Sequence, residues 1–351
     1  MSEASGAEAS GVDWRRIVLW AIGAAALLVV VYFGGRVLLQ RNGPVQLVVY
    51  AFSTKEEALT QAIFPAFEAA WEAETGRELT IVGVFGPSST LAGQINLGAP
   101  ADVAVFSNEQ DITRIKVGGR IDRDVQGVIV SYTPMVIATQ GGNPAGLADW
   151  RDLAQSGLRV LHPDPRTSGA GAWGVLAEYG SVLLESGSPA DAQLQLEAIW
   201  GNVRALSPSA RDALTLFELG AGDALVTYEQ DVRLAQQRGA SLEVVIPSRT
   251  ILAQHVAVVV DRNLSPAERP AAEAFIGYLL SEAGQEALVR YHWRPALPDG
   301  SAMPPLQQPF AVQQLGGWPR ASAEVIDGVW QQQILPWLDV EIIGPLSSRN
   351  P

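Results

Sequence analysis

The stretch LRVLHPDPRTSGAG, residues 158–171, carries the clearest signal of the fold. Its first five residues form a short apolar run closed by proline, which is typical of a buried strand. Its last residues are small and lead into a stretch, 172–185, that has the apolar spacing of a helix. A strand that passes through a loop of small residues into a helix is the repeating unit of α/β folds.

The same unit recurs on both sides of this stretch. Strand patterns occur at residues 46–52, 78–85, 102–106, 128–138, 158–162, 224–228, 242–246 and 254–260. Helical patterns occur at residues 55–75, 91–97, 150–154, 172–185, 189–202, 211–219, 229–237, 266–291 and 321–335. This alternation predicts an α/β fold with a mainly parallel or mixed sheet.

The length of 351 residues favours two lobes, each with its own sheet, over one doubly wound sheet. Two long extended runs between helical regions are predicted to cross between the lobes as a hinge. The predicted parts are lobe 1 at 46–127 and 259–293, lobe 2 at 138–248, hinge crossings at 128–137 and 249–258, and a C-terminal extension at 294–351.

Residues 17–35, IVLWAIGAAALLVVVYFGG, form an apolar run flanked by arginines on both sides. At about 1.5 Å per residue, such a helix spans a hydrocarbon core of about 30 Å. We expect a cytoplasmic tail at 1–16, a transmembrane anchor or signal segment at 17–39 and a linker at 40–45. The run is long for a cleaved signal peptide, which is the alternative interpretation. The following residues would then lie outside the cytoplasm, in the periplasm or on the outer face of the cell membrane.

Composition excludes several functional classes. The formal net charge of −13 argues against nucleic acid as a partner, because no region offers a basic face to phosphates. The absence of cysteine excludes disulfides and thiolate chemistry. The three histidines, His162, His255 and His292, lack metal-ligand spacing, so no metal or other cofactor is expected.

No pattern of an enzyme is found in the sequence. Neither Lys55 nor Lys116 stands in a phosphate-binding loop of the form GxxxxGK[ST]. Ser88 and Ser168 lack the second glycine of the GxSxG motif that holds a nucleophilic serine. Because no nucleophile and base stand in a recognisable pattern, we expect no catalytic residues.

Three junctions between a strand and a helix carry hydroxyl or glycine residues. They are Ser53-Thr54 after the first strand, the segment 86–90 after the second, and the segment 163–171. A helix start presents unpaired N–H groups and the positive end of the helix dipole, which suits an anion. A single junction of this kind is typical of ordinary helix capping, whereas three in one chain favour a shared anion site.

These junctions offer neutral donors. Hydroxyl and amide groups can replace the water shell of a fully ionised oxyanion, whereas a protonated phosphate also needs an acceptor. A site that lacks a carboxylate therefore favours sulfate, molybdate or tungstate.

From about residue 47 to 330, the sequence resembles the periplasmic sulfate- and thiosulfate-binding proteins of ABC importers. The stretches that carry the resemblance come in the family's order. They are Gly98-x-x-Ala101-Asp102, Gly119-Arg120-Ile121-Asp122, Gly142-Asn143-Pro144, Pro163-x-Pro165-x-Thr167-Ser168-Gly169, Ser209-Ala210-Arg211, Gly220-x-Gly222-Asp223, Pro247-Ser248, Arg294-Pro295 and Gly316-Gly317-Trp318.

This resemblance implies a two-lobed periplasmic-binding-protein fold of type II, whose lobes close over a dehydrated dianion. It implies a monomer that delivers sulfate or a related tetrahedral oxyanion to the permease and ATPase subunits of an importer. The site residues it implies are Ser53 or Thr54, Ser88, Ser168, Gly169, Ala170, Ala210 and Tyr228.

Some positions depart from the sulfate-binding pattern. Tyr228 stands where the family has a tryptophan, so a phenol replaces an indole donor. The stretches 88–95 and 98–103 are similar to molybdate- and tungstate-binding proteins, which also use a tyrosine at the late strand end. A molybdate- or tungstate-binding importer subunit, or a membrane-anchored oxyanion sensor, therefore stays open as an alternative.

Overall fold

The computed structural model describes residues 43–296, 303–338 and 340–342, with only the backbone of Glu341. The expected tail and transmembrane segment, 1–39, lie outside these residues. Within the described part of the chain, no helix has both the length and the apolar character needed to cross a bilayer.

Strands and helices alternate along most of the chain. The strands are β1 (Val45–Phe52), β2 (Leu79–Gly86), β3 (Val103–Phe106), β4 (Val128–Gln140), β5 (Val160–Pro163), β6 (Val203–Ser207), β7 (Ala224–Tyr228), β8 (Leu242–Val245), β9 (Arg249–Val259), β10 (Arg294–Pro295), β11 (Gln308–Phe310) and β12 (Glu341–Ile342). The longer α-helices are α1 (Phe64–Thr75), α2 (Ser88–Asn96), α3 (Glu109–Val117), α4 (Gly169–Ser186), α5 (Pro189–Trp200), α6 (Ala210–Glu218), α7 (Glu229–Gln237), α8 (Arg269–Leu279) and α9 (Glu282–Arg290). Shorter or differently wound helical segments are Ser53–Lys55, Glu56–Ala58, Leu59–Ile63, Trp150–Ala154, Val312–Leu315, Gly317–Ala321, Ser322–Ile334 and Leu335–Trp337.

The strands pair in the order β12-β6-β5-β7-β4-β9-β3-β1-β2. In the first part of the sheet, β1 is parallel to β2 and β3, and β9 is antiparallel to β3. In the second part, β5 is parallel to β6 and β7. The α/β fold class predicted from the sequence is confirmed.

Strand β4 connects the two parts of the sheet. Its first half, residues 128–134, pairs with β9, and its second half, residues 135–140, pairs with β7 and β8. The two predicted hinge crossings fall on β4 and β9. The division into two lobes and an extension stays a prediction, since contacts group the chain from Val45 onward as one compact unit.

Both faces of β1 are buried. Leu47, Val49 and Ala51 pack into one apolar cluster, whereas Tyr50 packs into another on the opposite face. Because successive strand residues point to opposite faces, helices must cover both sides of this part of the sheet.

Several helix boundaries differ from the sequence patterns, and for two of them a capping hydroxyl gives the reason. The expected helix at 172–185 begins earlier, at Gly169, because Ser168 is the N-cap and its hydroxyl accepts the Gly171 N–H at 3.4 Å. The expected helix at 266–291 divides into α8 and α9, because the Ser281 hydroxyl caps the second helix by accepting the Gly284 N–H at 3.1 Å.

Candidate anion-binding site

Several helical segments begin where strands end, and their first residues or their N-cap residues lie around one cavity. They are the turn Ser53–Lys55 after β1, α2 after β2, α4 after β5, α6 after β6 and α7 after β7. The first turn of a helix has N–H groups without an intrahelical acceptor, and it is the positive end of the helix dipole. The fold therefore directs backbone donors and partial positive charge at a common point.

The cavity is narrow, with a volume of about 10 Å³ open to the centre of a water-sized sphere. Organic ligands of drug size occupy pockets of about 300–1,000 Å³, so this cavity is far too small for one and has room only for a small ion or a water molecule. The structure brings all of the predicted site residues to its wall. The lining consists of Phe52, Ser53, Thr54, Gly86, Pro87, Ser88, Ser107, Ser168, Gly169, Ala170, Ser209, Ala210 and Tyr228.

Thr54 lines the cavity and is only 4% exposed. Its hydroxyl oxygen has no hydrogen-bond partner among the described residues. Buried polar groups are almost always paired, because an unpaired one loses its hydration without compensation. A group that enters the cavity and accepts a hydrogen bond would satisfy this hydroxyl.

Gly169, the first residue of α4, makes close contact with the end of β3. A Cβ atom at this position would lie 2.0 Å from the Ser107 Oγ, a distance at which two atoms overlap. Only glycine leaves room here for the side chains of Ser107 and Asn108. The short separation also brings the N–H groups of this helix start close to the serines opposite.

Ser107 is a site residue that sequence reasoning missed. It follows β3 directly, and its hydroxyl is 2.7 Å from the hydroxyl of Tyr228. Its carbonyl accepts the indole N–H of Trp173 at 2.8 Å. Ser107 stands at a strand end like the other candidates, so the rule that selected them would have found it.

Tyr228 remains a neutral phenol. Burial raises its pKa well above the usual value, partly opposed by the hydrogen bond with Ser107. The phenol can therefore donate a hydrogen bond either to Ser107 or to a ligand. Tyr228 therefore supplies a hydrogen-bond donor at the position where the sulfate-binding pattern has the indole of a tryptophan.

A carboxylate lies behind the site, on a residue that is not among those predicted from the sequence. The Ser88 hydroxyl donates to Asp111 Oδ2 at 2.6 Å and accepts the Ser107 N–H at 3.0 Å. Burial raises the pKa of Asp111, and the nearby Arg114 partly opposes this rise. Asp111 does not line the cavity, so it orients Ser88 and does not face a ligand directly.

Arg211 and Arg166 stand near the site but differ in their partners. Arg211 donates to the Ser53 carbonyl at 2.9 and 3.1 Å and forms an ion pair with Glu57. It therefore ties α6 to the turn after β1. Arg166 pairs with Asp164 at 2.6 Å and forms a local ion pair.

Metal ligands are not grouped in the part of the chain that the structure describes, since no three His, Cys, Asp or Glu side chains there could hold one ion together. The described cavity wall consists of hydroxyl, amide and aromatic groups, which bind anions by hydrogen bonding.

Comparison with known proteins places this geometry in a family. A family model described as bacterial extracellular solute-binding protein matches residues 47–294. The sulfate-binding protein of Synechococcus elongatus is 31% identical, over 90% of this chain and 94% of that protein. The thiosulfate-binding protein of Pseudomonas aeruginosa is 34% identical, over 67% of this chain and 74% of that protein.

A solved structure agrees with these relatives. The sulfate-binding protein SubI from Mycobacterium tuberculosis matches with a TM-score of 0.74 and 25% identity, covering 80% of this chain and 99% of that chain. The fold is that of periplasmic binding proteins. The chain therefore belongs to the bacterial extracellular solute-binding proteins, within the family of the sulfate- and thiosulfate-binding proteins.

Proposed function

We propose that this chain is the substrate-binding subunit of an ABC importer and that it binds sulfate or thiosulfate. The observation that carries the proposal is the convergence of helix starts on a small cavity that contains the unpaired Thr54 hydroxyl. A dianion would accept hydrogen bonds from this hydroxyl and from the surrounding N–H groups. The names of the relatives support the choice of anion.

The proposed ligand-binding residues share one feature, a neutral donor or a small side chain that exposes the backbone donor. They are Ser53, Thr54, Ser88, Ser168, Gly169, Ala170, Ala210 and Tyr228. Ser107 is added because it lines the cavity and its hydroxyl is 2.7 Å from that of Tyr228.

The proposed mechanism is closure of two lobes about the hinge strands β4 and β9. Contacts between the proposed lobes support it, since Trp173 and Tyr228 of lobe 2 hydrogen-bond Ser107 of lobe 1. A dianion held by donors from both lobes would stabilise the closed arrangement over the open one. Such a protein binds and releases its ligand unchanged, so we propose no catalytic role.

The proposed location is outside the cytoplasm, which agrees with the description of the matching family. An anchor at 17–39 is proposed from the apolar sequence alone. Such a tether would keep a monomeric receptor close to the permease and the ATPase. A membrane-anchored sensor would need the same anchor, and it differs in lacking these transport partners.

Molybdate or tungstate is the second candidate ligand. The Ser88-Ser89 pair at the start of α2 and the buried Tyr228 favour it, because both agree with the molybdate-binding pattern. The same ring of neutral donors would hold any tetrahedral dianion, so anion size decides between these ligands.

Calorimetry on the full chain tests the function. The ligands are sulfate, thiosulfate, molybdate, tungstate and phosphate at neutral pH. We expect sulfate or thiosulfate to bind at least about a hundredfold tighter than phosphate, because no carboxylate among the described residues lines the cavity to accept the proton of a protonated oxyanion. Equal or tighter binding of phosphate would contradict the proposal, and tighter binding of molybdate would select the second candidate.

A further inference from the structure

The helical residues 317–334, which we call the bracket, pack against helices of the proposed lobe 2. The ring of Trp318 lies against that of Trp173 on α4, with centroids 4.5 Å apart. The ring of Trp330 lies against that of Trp200 on α5, with centroids 5.2 Å apart. These indoles are at most 5% exposed. Burial of such large rings fixes the bracket to lobe 2.

The bracket also contacts the proposed lobe 1. The amide Nε2 of Gln110, the second residue of α3, donates to the Ser322 hydroxyl at 2.6 Å. Ser322 is only 5% exposed, so the protein shields this hydrogen bond in part from competing water. Neither residue lines the anion cavity. The bracket therefore joins the two lobes at a point outside the ligand site.

Gln110 lies in the turn that positions one of the helix starts at the cavity. Asn108 caps α3 by accepting the Asp111 N–H at 3.2 Å. Asp111 in turn accepts the Ser88 hydroxyl at 2.6 Å and the Ser89 hydroxyl at 3.0 Å. A contact that holds the first turn of α3 therefore also holds the start of α2, where these two serines stand.

A second contact between the lobes rests on the bracket. Trp173, whose ring packs against Trp318, donates its indole N–H to the Ser107 carbonyl of lobe 1 at 2.8 Å. Ser107 lines the cavity. The bracket thus lies behind one contact between the lobes and makes another itself through Ser322.

We propose that the bracket holds the two lobes in the closed arrangement and that Gln110 and Ser322 are positioning residues for anion binding. The inference rests on the proposed function and its closure about β4 and β9. Because the bracket is fixed to lobe 2, rotation of lobe 1 away from lobe 2 breaks the hydrogen bond from Gln110. A contact present in one of two states shifts the equilibrium toward that state. This contact does not touch the ligand, so it slows release of every anion by the same factor.

A double-mutant cycle tests the effect on binding. We expect Gln110→Leu and Ser322→Ala each to weaken sulfate binding by about twofold to tenfold, because one hydrogen bond of the closed state is lost. The double variant should bind about as weakly as either single variant, since both changes remove the same contact. Sulfate, thiosulfate and molybdate should lose affinity by the same factor, with faster dissociation measured by stopped-flow tryptophan fluorescence. Losses that simply add in the double variant would overturn the proposal.

Gln193→Leu is the matched control. The Gln193 amide donates to the Gln333 Oε1 at 2.9 Å, so it joins the bracket to α5 within lobe 2. This variant should bind sulfate like the unaltered chain, because its contact is the same in the open and the closed arrangement. A weakening equal to that of Gln110→Leu would overturn the proposal, since the bracket would then act through lobe 2 alone.

Cross-linking follows the separation of the lobes directly, because the chain has no cysteine of its own. In the variant with Gln110→Cys and Ser322→Cys, a short thiol-specific cross-linker should join the two positions faster in saturating sulfate than without sulfate. In the control with Gln193→Cys and Gln333→Cys, the rate should not depend on sulfate. Equal rates with and without sulfate in the first variant would overturn the proposal.

The outcomes separate this inference from the proposed function. Unchanged sulfate affinity in Gln110→Leu and in Ser322→Ala would overturn the role of the bracket and leave the function intact. If Ser322→Ala, at a buried position, fails to fold, Gln110→Leu at the half-buried partner decides alone. If calorimetry detects no binding of sulfate, thiosulfate or molybdate to the unaltered chain, both proposals are wrong.

Discussion

Thr54 and Thr250 show how the same residue type serves two purposes in this molecule. Both residues are buried, with 4% of Thr54 and 1% of Thr250 exposed to solvent. The Thr250 hydroxyl donates to the Met135 carbonyl at 2.6 Å, whereas that of Thr54 has no partner among the described residues. A hydroxyl with an internal partner stabilises the fold, and one without a partner is available to a ligand.

The two threonines therefore give a matched test. Thr54→Val removes an unpaired hydroxyl, so the anion-free protein should keep its stability or gain up to about 1 kcal/mol. The same change should weaken sulfate binding by about 1–3 kcal/mol, because a donor to a buried charge is lost. Denaturant unfolding without ligand and calorimetry with sulfate measure the two effects.

Thr250→Val is the control for this pair. It leaves the Met135 carbonyl without its donor, so the free energy of unfolding should fall by about 1–3 kcal/mol. Sulfate affinity should change little, because Thr250 does not line the cavity. The reverse pattern, with a destabilised Thr54 variant of normal affinity, would assign the Thr54 hydroxyl to the fold.

At the scale of elements, helix α4 is where sequence reasoning and structure meet most closely. The pattern at 158–171 predicted a strand followed by a loop and a helix, and β5 and α4 confirm it. The sequence pattern predicts a helix start near residue 172, because the three small residues before it have no apolar periodicity. The hydroxyl of Ser168 decides the true start, and its contact is visible only in three dimensions.

The rest of the site was predictable to different degrees. The hydroxyl and glycine residues at three strand ends could be named because such ends meet at one edge of a sheet, whereas Ala210 and Tyr228 were implied only by the family resemblance. Asp111 could not be named, because it lies in the first turn of α3 and reaches the site only through Ser88.

The packing of α4 against β5 and α5 contains a buried acid and a buried imidazole. The Trp200 indole donates to Glu178 Oε2 at 2.8 Å, and the other Glu178 oxygen lies 3.7 Å from His162 Nε2. Burial raises the pKa of Glu178 to about 8 and lowers that of His162 to about 4. Both side chains are therefore neutral near pH 7.

These two groups should shape the pH dependence of stability. The folded state holds the Glu178 proton more tightly than the unfolded state, so its contribution is present below about pH 4.5 and is lost as pH rises through about 8. His162 acts in the opposite direction, since it binds its proton only in the unfolded state between about pH 6.5 and 4. Its contribution is therefore lost as the solution becomes more acidic.

Glu178→Gln tests the acid. An amide keeps a similar shape and an acceptor for the Trp200 indole, and it cannot ionise. We expect the variant to lose less stability than the unaltered chain between pH 6 and pH 9, measured by denaturant unfolding. Parallel curves over this range would show that Glu178 is already ionised in the folded protein.

For the whole molecule, the decisive feature is a sheet whose two parts are joined by β4. Rotation about the proposed hinge strands β4 and β9 would change the distance between the helix starts that line the cavity. Few described side chains link the two parts at the cavity, and Arg211 is one of them. It extends from α6 to the Ser53 carbonyl and to Glu57 on the other side.

Arg211→Met should therefore favour an open molecule. The change removes two hydrogen bonds to a carbonyl and the ion pairs with Glu56 and Glu57, while Glu57 keeps its contact with Arg238 at 3.0 Å. We expect sulfate affinity to fall by about fivefold to tenfold, because closure must then occur without these contacts. Small-angle X-ray scattering should show a larger radius of gyration for the variant at low sulfate, and the same radius as the unaltered chain at saturation.

Arg159→Met is the matched control, since Arg159 pairs with Asp223 at 2.7 Å at the surface of a single part. If both variants bind sulfate equally well, Arg211 has no part in closure, and the hydrogen bonds of Ser107 with Trp173 and Tyr228 would be the contacts that hold the two parts together.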